Sequence, residues 1–266
     1  SSGAGLQTVL GADIVNLDTT GEAGAFVDRN AGTNIAVVAS GYAISGADAG
    51  NYNLIQPQGL TADITPAPIS LTSVVKVYDG TTDLPTAGSA YGFTGIYSGD
   101  AVTADTSGVT GAYADQNVGG SLSGGVVTGG INVTLAGVAL TGAQAGNYFV
   151  SPSSITNQPV GVITPKQLVA AIIGDPTKGY GTPTSAALTA PHFDVTGFVA
   201  GEGAEVTETA GLYDSKNAGD RIVTAMLDGG DFTADGGTLL TNYILPTTAS
   251  GAGEITPAPA TVIGAV

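Results

Sequence analysis

The chain has 266 residues with 42 glycines, 13 prolines, no cysteine and 11% charged residues, against about 25% charged in an ordinary soluble domain. Twenty-two acidic and six basic residues give a net charge of −16, which opposes DNA, RNA or an anionic lipid surface as a partner and helps keep an apolar-rich surface soluble. An apolar fraction of 42% argues for folding over disorder, and the lack of cysteine excludes a disulfide framework while fitting either a cytosolic protein or an exoprotein exported unfolded.

No apolar run approaches the roughly 20 residues of a membrane span, and no signal-peptide pattern is present. Any targeting or anchoring segment is therefore expected outside this stretch, with no membrane insertion within it.

In chain order, Leu10-Gly11-Ala12-Asp13 opens the first strand set, and Gly24 to Asn30 forms an anchor phrase. Ile35 and Val37 then give way to Tyr42 and Ile44 around Gly41, a one-residue phase slip that suggests a β-bulge. Gly46-Ala47-Asp48-Ala49-Gly50-Asn51-Tyr52 follows, and Ile64-Thr65-Pro66 closes the module. The second module opens on a two-residue alternation, Ile69, Leu71, Ser73, Val75 and Val77 against Ser70, Thr72, Val74 and Lys76, the period of a half-buried strand ended by Asp79-Gly80. Tyr97-Ser98-Gly99-Asp100, Gly111 to Asn117, a second slip at Gly137, Gly142 to Tyr148 and Ile163-Thr164-Pro165 repeat the order. The third module repeats it with Ala200-Gly201-Glu202, Gly211 to Asn217, Leu240-Thr241-Asn242-Tyr243 and Ile255-Thr256-Pro257.

Tyr52, Tyr148 and Tyr243 lie 96 and 95 residues apart, so the chain is a tandem array of domain-sized units. The predicted modules are 1–64, lacking its first strand, 65–163, 164–255, and 256–266 as the first strand of a further module. Short strands between Gly, Pro, Asn and Asp clusters predict an all-β fold of immunoglobulin-like sandwich modules in an elongated rod, with β-grasp-like modules as the alternative. Asp48-x-Gly50-x-Tyr52-x-Leu54 has the spacing of an immunoglobulin tyrosine corner, in which the phenol bonds to nearby backbone and the ring packs.

Lys76-Val77-Tyr78-Asp79-Gly80-Thr81-Thr82, with the Asp-Ala-Gly-Asn-Tyr and Ile-Thr-Pro phrases at their intervals, resembles the YDG-type repeat of large bacterial filamentous-haemagglutinin-like adhesins. Lys178-Gly179-Tyr180-Gly181-Thr182 is similar to a related form of that repeat. The resemblance covers essentially the whole chain and implies an extracellular stalk or fibre at the bacterial surface, of the kind found in adhesins and biofilm. It supplies no catalytic residues; Tyr78, Asp79 and Gly80 enter as structural motif residues.

Catalytic signatures are missing: His192 is the single histidine, and no nucleophile elbow, phosphate loop or dinucleotide fingerprint occurs. No enzyme activity and no cofactor are expected. Calcium is the one ligand weighed, with Asp100 and Asp105 as candidate ligands beside Asp13, Asp18, Glu202, Glu205 and Glu208; solvated carboxylates are the plainer reading. Lys76, Lys166 or Lys216 are candidates for Lys–Asn cross-links only in principle. Tyr91, Phe93, Tyr97 and Tyr113 would be the stacking residues if the modules bound carbohydrate, the competing function. Expected partners are neighbouring copies or further modules of the same protein, and a host or matrix glycan or protein. The late start of the first module and the orphan segment Ile255–Val266 have two readings: a window of a longer covalent repeat chain, or a strand donated head to tail between copies.

Overall fold

The computed structural model describes residues 4–181 and 183–264. Ser1–Gly3 of the first module, Thr182 of the Tyr-Gly-Thr phrase and Ala265–Val266 of the last segment lie outside the described residues. Among those described, regular structure is strand apart from six single-turn 3-10 segments. The protein is all-β and β-sandwich-like, as expected from its Gly-punctuated, β-branched sequence.

Contacts divide the chain into two compact units that do not follow the repeats. One unit takes the chain to Leu71 together with Phe93–Gly108 and Val138–Ser153. In it Asn16–Asp18 pairs with Ala43–Ser45, and Gly32–Ser40 lies between Ala23–Phe26 and Leu60–Ile64. Thr103–Asp105 pairs with Ala139–Thr141, and Tyr148–Val150 runs parallel to Ala67–Ile69.

The other unit takes Thr72–Gly92, Val109–Gly137 and Ser154–Val266. Here Ile131–Ala136 lies between Thr110–Tyr113 and Ser154–Thr164, and the latter runs parallel to Val74–Val77. The third repeat is the most complete. Gly219–Met226 lies between Ala210–Tyr213 and Thr248–Thr256, and Ala204–Val206 pairs with Phe232–Ala234 in a separate sheet. Ile172, Val223 and Ile255 from the larger sheet meet Val206 and Phe232 from the smaller in one buried core, the two-layer arrangement that an alternating strand needs to cover its apolar face.

Two local expectations are corrected. Ala67–Val77 is a strand, yet its alternation changes phase midway. Ile69 faces inward, Ser73 and Val74 are both buried, and the inward set then becomes Val74, Lys76 and Tyr78, leaving Val77 exposed. The partner changes there, from Tyr148–Val150 to Gly161–Thr164, and a change of partner permits a shift of face that a single period cannot express. The slips at Gly41 and Gly137 are strand breaks, not bulges. Each glycine has positive φ (+84° and +82°), and the strand after it pairs with a different neighbour. At Gly41 a Cβ would come within 1.9 Å of the Gly21 carbonyl oxygen.

Candidate functional site

The same polar arrangement is built three times around the repeating tyrosine. A reverse turn closes between residues 10 and 13, 97 and 100, and 199 and 202, each with the backbone N–H of the acidic residue donating to the carbonyl three positions back. The tyrosine hydroxyl donates to that acid: Tyr52 to Asp13 at 2.8 Å, Tyr148 to Asp100 at 2.6 Å and Tyr243 to Glu202 at 2.7 Å. It also accepts the N–H that opens the turn, from Leu10 at 2.9 Å, Tyr97 at 3.1 Å and Val199 at 3.1 Å. The backbone partner of each hydroxyl is 42, 51 or 44 residues away in sequence, which differs from the local bond of a tyrosine corner.

The asparagines before Tyr148 and Tyr243 each join one repeat to the one before it. A single 3-10 turn ends at Asn51, Asn147 and Asn242. Asn147 accepts the N–H of Ala31 at 2.8 Å and donates Nδ2 to Asn30 Oδ1 at 2.9 Å. Asn242 does the same with Val118 and Asn117, both at 2.9 Å. The receiving loop is held ready by an Asx turn: Asp28 Oδ1 accepts both the N–H and the Nδ2 of Asn30, and Asp115 Oδ1 does so from Asn117. With Asp holding one side of the carboxamide, its oxygen is directed at the neighbouring repeat. Asn242 is 1% exposed, so both halves of its amide must be bonded there, and they are.

The second oxygen of the acid also crosses the joint. Asp100 Oδ1 accepts from Arg29 of the preceding repeat at 2.6 Å, and Glu202 Oε1 accepts from the Tyr78 hydroxyl at 2.5 Å. Tyr78 meets Tyr243 edge to face at 5.4 Å between ring centroids, and Phe198 meets Tyr243 at 4.9 Å. Gly80, with φ +76°, leaves room where a Cβ would lie 2.9 Å from Val199 Cγ1.

Asp79 has a different task. Lys76 points inward, and its Nζ donates to Asp79 Oδ1 and Thr81 O, both at 2.8 Å, to Asp83 O at 3.0 Å, and to Thr81 Oγ1 at 3.2 Å, with the Tyr113 ring 5.2 Å away. A buried ammonium needs such a cage. Lys178 repeats the theme, donating to Pro183 O beside the Tyr213 ring. The Tyr-Asp-Gly phrase thus divides its labour: tyrosine and glycine fit the next repeat, and aspartate holds the loop to its own strand.

Charge and burial tune these groups. Burial, then the Glu202 hydrogen bond, pushes the Tyr243 hydroxyl up to about 12. Tyr78 and Tyr148 move up for the same reasons, burial first and then their carboxylate partners. The Tyr148 hydroxyl, with Arg29 adding to it against burial, holds Asp100 below the usual carboxylate value.

Of the sequence-predicted residues, Tyr148, Tyr243, Tyr78 and Gly80 come together at joints, Tyr52 builds the same pocket on the first repeat, and Asp79 serves the lysine cage. The calcium candidates do not converge: Asp100 is engaged with Tyr148 and Arg29, and Asp105 accepts the N–H of Ser107. Among the described residues no group of three or more His, Cys, Asp or Glu side chains is arranged to hold a metal. Of the aromatics considered for sugar stacking, Tyr91 and Tyr113 are buried, with hydroxyls bonded to Pro85 O and Val74 O, while Tyr97 is exposed. Sequence reasoning missed Asn30, Asn117, Asn147, Asn242 and Glu202 as joint residues. The available signal was the asparagine kept in both anchor phrases of every module.

Fold and joints together define an all-β protein of interlocking tandem repeats. The YDG domain model matches residues 1–62, 64–156 and 164–250, and the chain belongs to the YDG domain family. No curated protein and no solved structure matches the chain.

Proposed function

We propose that this chain is a non-enzymatic segment of an extracellular stalk or surface fibre of a bacterial adhesin, whose immunoglobulin-like repeats span distance. The observation that carries the reading is the recurrence of one joint, Asn147 on Asn30–Ala31 and Asn242 on Asn117–Val118, with a carboxylate bridging each joint. A hinge left free to swing would not require two reciprocal amide bonds and a charge-assisted bond at each step. A repeated, directional joint keeps successive repeats in a fixed sense, as a spacer needs. The acidic, cation-poor surface supports the same reading, since like charge along a fibre opposes lateral aggregation.

Electron microscopy of the purified chain tests this. The expected image is a string of beads of constant orientation, with added bending in the Asn147→Ala/Asn242→Ala variant. Single compact globules, or beads as freely jointed in the parent as in the variant, would defeat the reading.

A further inference from the structure

At the second joint one carboxylate holds two tyrosines that come from successive repeats. Glu202 Oε1 accepts the Tyr78 hydroxyl at 2.5 Å, and its Oε2 accepts the Tyr243 hydroxyl at 2.7 Å. Both hydroxyls are drawn to one group, and with them the ring carbons ortho to each. The rings meet edge to face, with centroids 5.4 Å apart and planes at 82°. Tyr78 is 2% and Tyr243 6% exposed, whereas Glu202 is half-buried and so touches solvent as well as both phenols. The clasp itself does not require a second phenol. At the first joint Arg29 takes the other oxygen of Asp100, and the tyrosine packed on Tyr148 is Tyr97 of the same repeat, at 6.4 Å and a tilt of 44°.

Composition gives this pair a chemistry. The chain has ten tyrosines, no cysteine, no tryptophan and a single methionine. Cysteine and methionine are the usual sites of oxidative attack, and tryptophan competes with tyrosine for one-electron loss. With so few alternatives, a one-electron oxidant takes its electron from tyrosine. Among the described residues the ring contacts between tyrosines are Tyr78–Tyr243 and Tyr97–Tyr148, and only the first has both hydroxyls on a proton acceptor.

We propose that Tyr78 and Tyr243 form an oxidative cross-linking site, at which a peroxide-fed one-electron oxidant joins them as dityrosine and fastens the second joint covalently. Each phenol loses one electron to the oxidant and one proton to Glu202, which passes it to solvent. The two phenoxyl radicals couple through their ortho carbons, forming one C–C bond. The hydrogens on those carbons then shift to the oxygens and restore both phenols. Two tyrosines and one hydrogen peroxide thus give one dityrosine and two waters. Holding the rings together makes coupling faster than escape, and burial bars dissolved reductants from the radicals without preventing electron loss, which needs no contact with the ring. The cross-link goes beyond the reading of the chain as a stalk and needs only the second joint, both halves of which lie within the described residues.

Oxidation of the dilute parent protein with photoexcited tris(bipyridyl)ruthenium and persulfate, followed by peptide mapping of the monomeric fraction, tests it. Persulfate accepts the two electrons and leaves as two sulfates. The expected product lacks two hydrogens, shows dityrosine fluorescence and yields a peptide pair joined between Tyr78 and Tyr243. Tyr78→Phe and Tyr243→Phe, which keep the rings, should each abolish that pair, Tyr97→Phe should leave it, and Glu202→Gln should lower its yield several-fold. The cross-linked monomer should also unfold at higher urea than untreated protein, because the new bond closes the long loop from Tyr78 to Tyr243. Absence of the joined peptides from the oxidised parent would overturn the inference whether or not a variant folds, and so would dityrosine undiminished in Tyr78→Phe. Neither result touches the stalk reading, which is judged on bending at Asn147 and Asn242.

Discussion

The two internal joints use one clasp and seal it differently. At the first, Asp100 is bridged by Arg29, whose side chain is 71% exposed, and a 290 Å³ cavity lies among Arg29, Ile64, Tyr97, Asp100 and Tyr148. At the second, the bridging donor is Tyr78, 2% exposed, with Tyr243 and Phe198 packed against it. The difference follows from the residue that reaches the carboxylate: Tyr78 stands directly after the strand Ala67–Val77 and is buried, whereas Arg29 stands in the loop after Ala23–Phe26 and reaches Asp100 as a solvated cation. The shared asparagine pair sets geometry, while the occupant of the second carboxylate position sets how dry the joint is and hence how much each bond matters.

The largest contrast should come from removing the clasp. Asn242→Ala leaves the Val118 N–H and Asn117 Oδ1 unpaired in a dry site and should cost about 2–3 kcal/mol, whereas Asn147→Ala, beside a cavity able to admit water, should cost about 1 kcal/mol. Urea unfolding of the two variants measures this, and equal losses would break the contrast. Next, Gly80→Ala should loosen the second joint alone by about 1–2 kcal/mol, since it strains a positive φ and pushes on Val199. The methyl resonances of Val199 should shift while the Arg29 and Asp100 signals stay fixed.

pH separates the joints further. The folded pKa of Tyr243 is raised, so its contribution is full below the ordinary tyrosine value of about 10 and disappears as pH climbs through about 12. Asp100 is shifted down, so its contribution is present above the ordinary carboxylate value of about 4 and is lost as pH falls through its depressed folded value. Tyr148 is raised as well, so alkaline titration, followed by tyrosinate absorbance, should weaken both joints, whereas acid should weaken the first through Asp100. The smallest effect belongs to Arg29→Ala. An ion pair with one partner so exposed contributes little, and that little should fade in high salt.

The all-β class and the repeat phase were legible because glycine punctuation and alternation are local signals. Ala67–Val77 was legible as a strand from its period, but its inward face beyond Ser73 was not, since the period sets Val74 and Lys76 opposite Ile69 and Ser73, and a lysine cage draws on Asp79, Thr81 and Asp83 folded back over the strand. The tyrosines were legible as markers of the repeat phase. Their true partners were not, because the acids at 13, 100 and 202 lie about 40 residues upstream (|i−j| of 39, 48 and 41) and sequence spacing resolves only nearby pairing. The asparagine clasps were invisible for a simpler reason. Each joins residues 116 to 125 positions apart, and an asparagine beside a glycine-rich turn is ordinarily a turn residue.

Amide hydrogen exchange at Val118, in dilute parent protein and in Asn242→Ala, tests the joint most directly. The clasp requires Val118 N–H to be protected in the parent and to lose at least tenfold of that protection in the variant. Ala31 N–H at the other joint should be unchanged. Equal exchange at Val118 in parent and variant would mean that the repeats are not held by this pair.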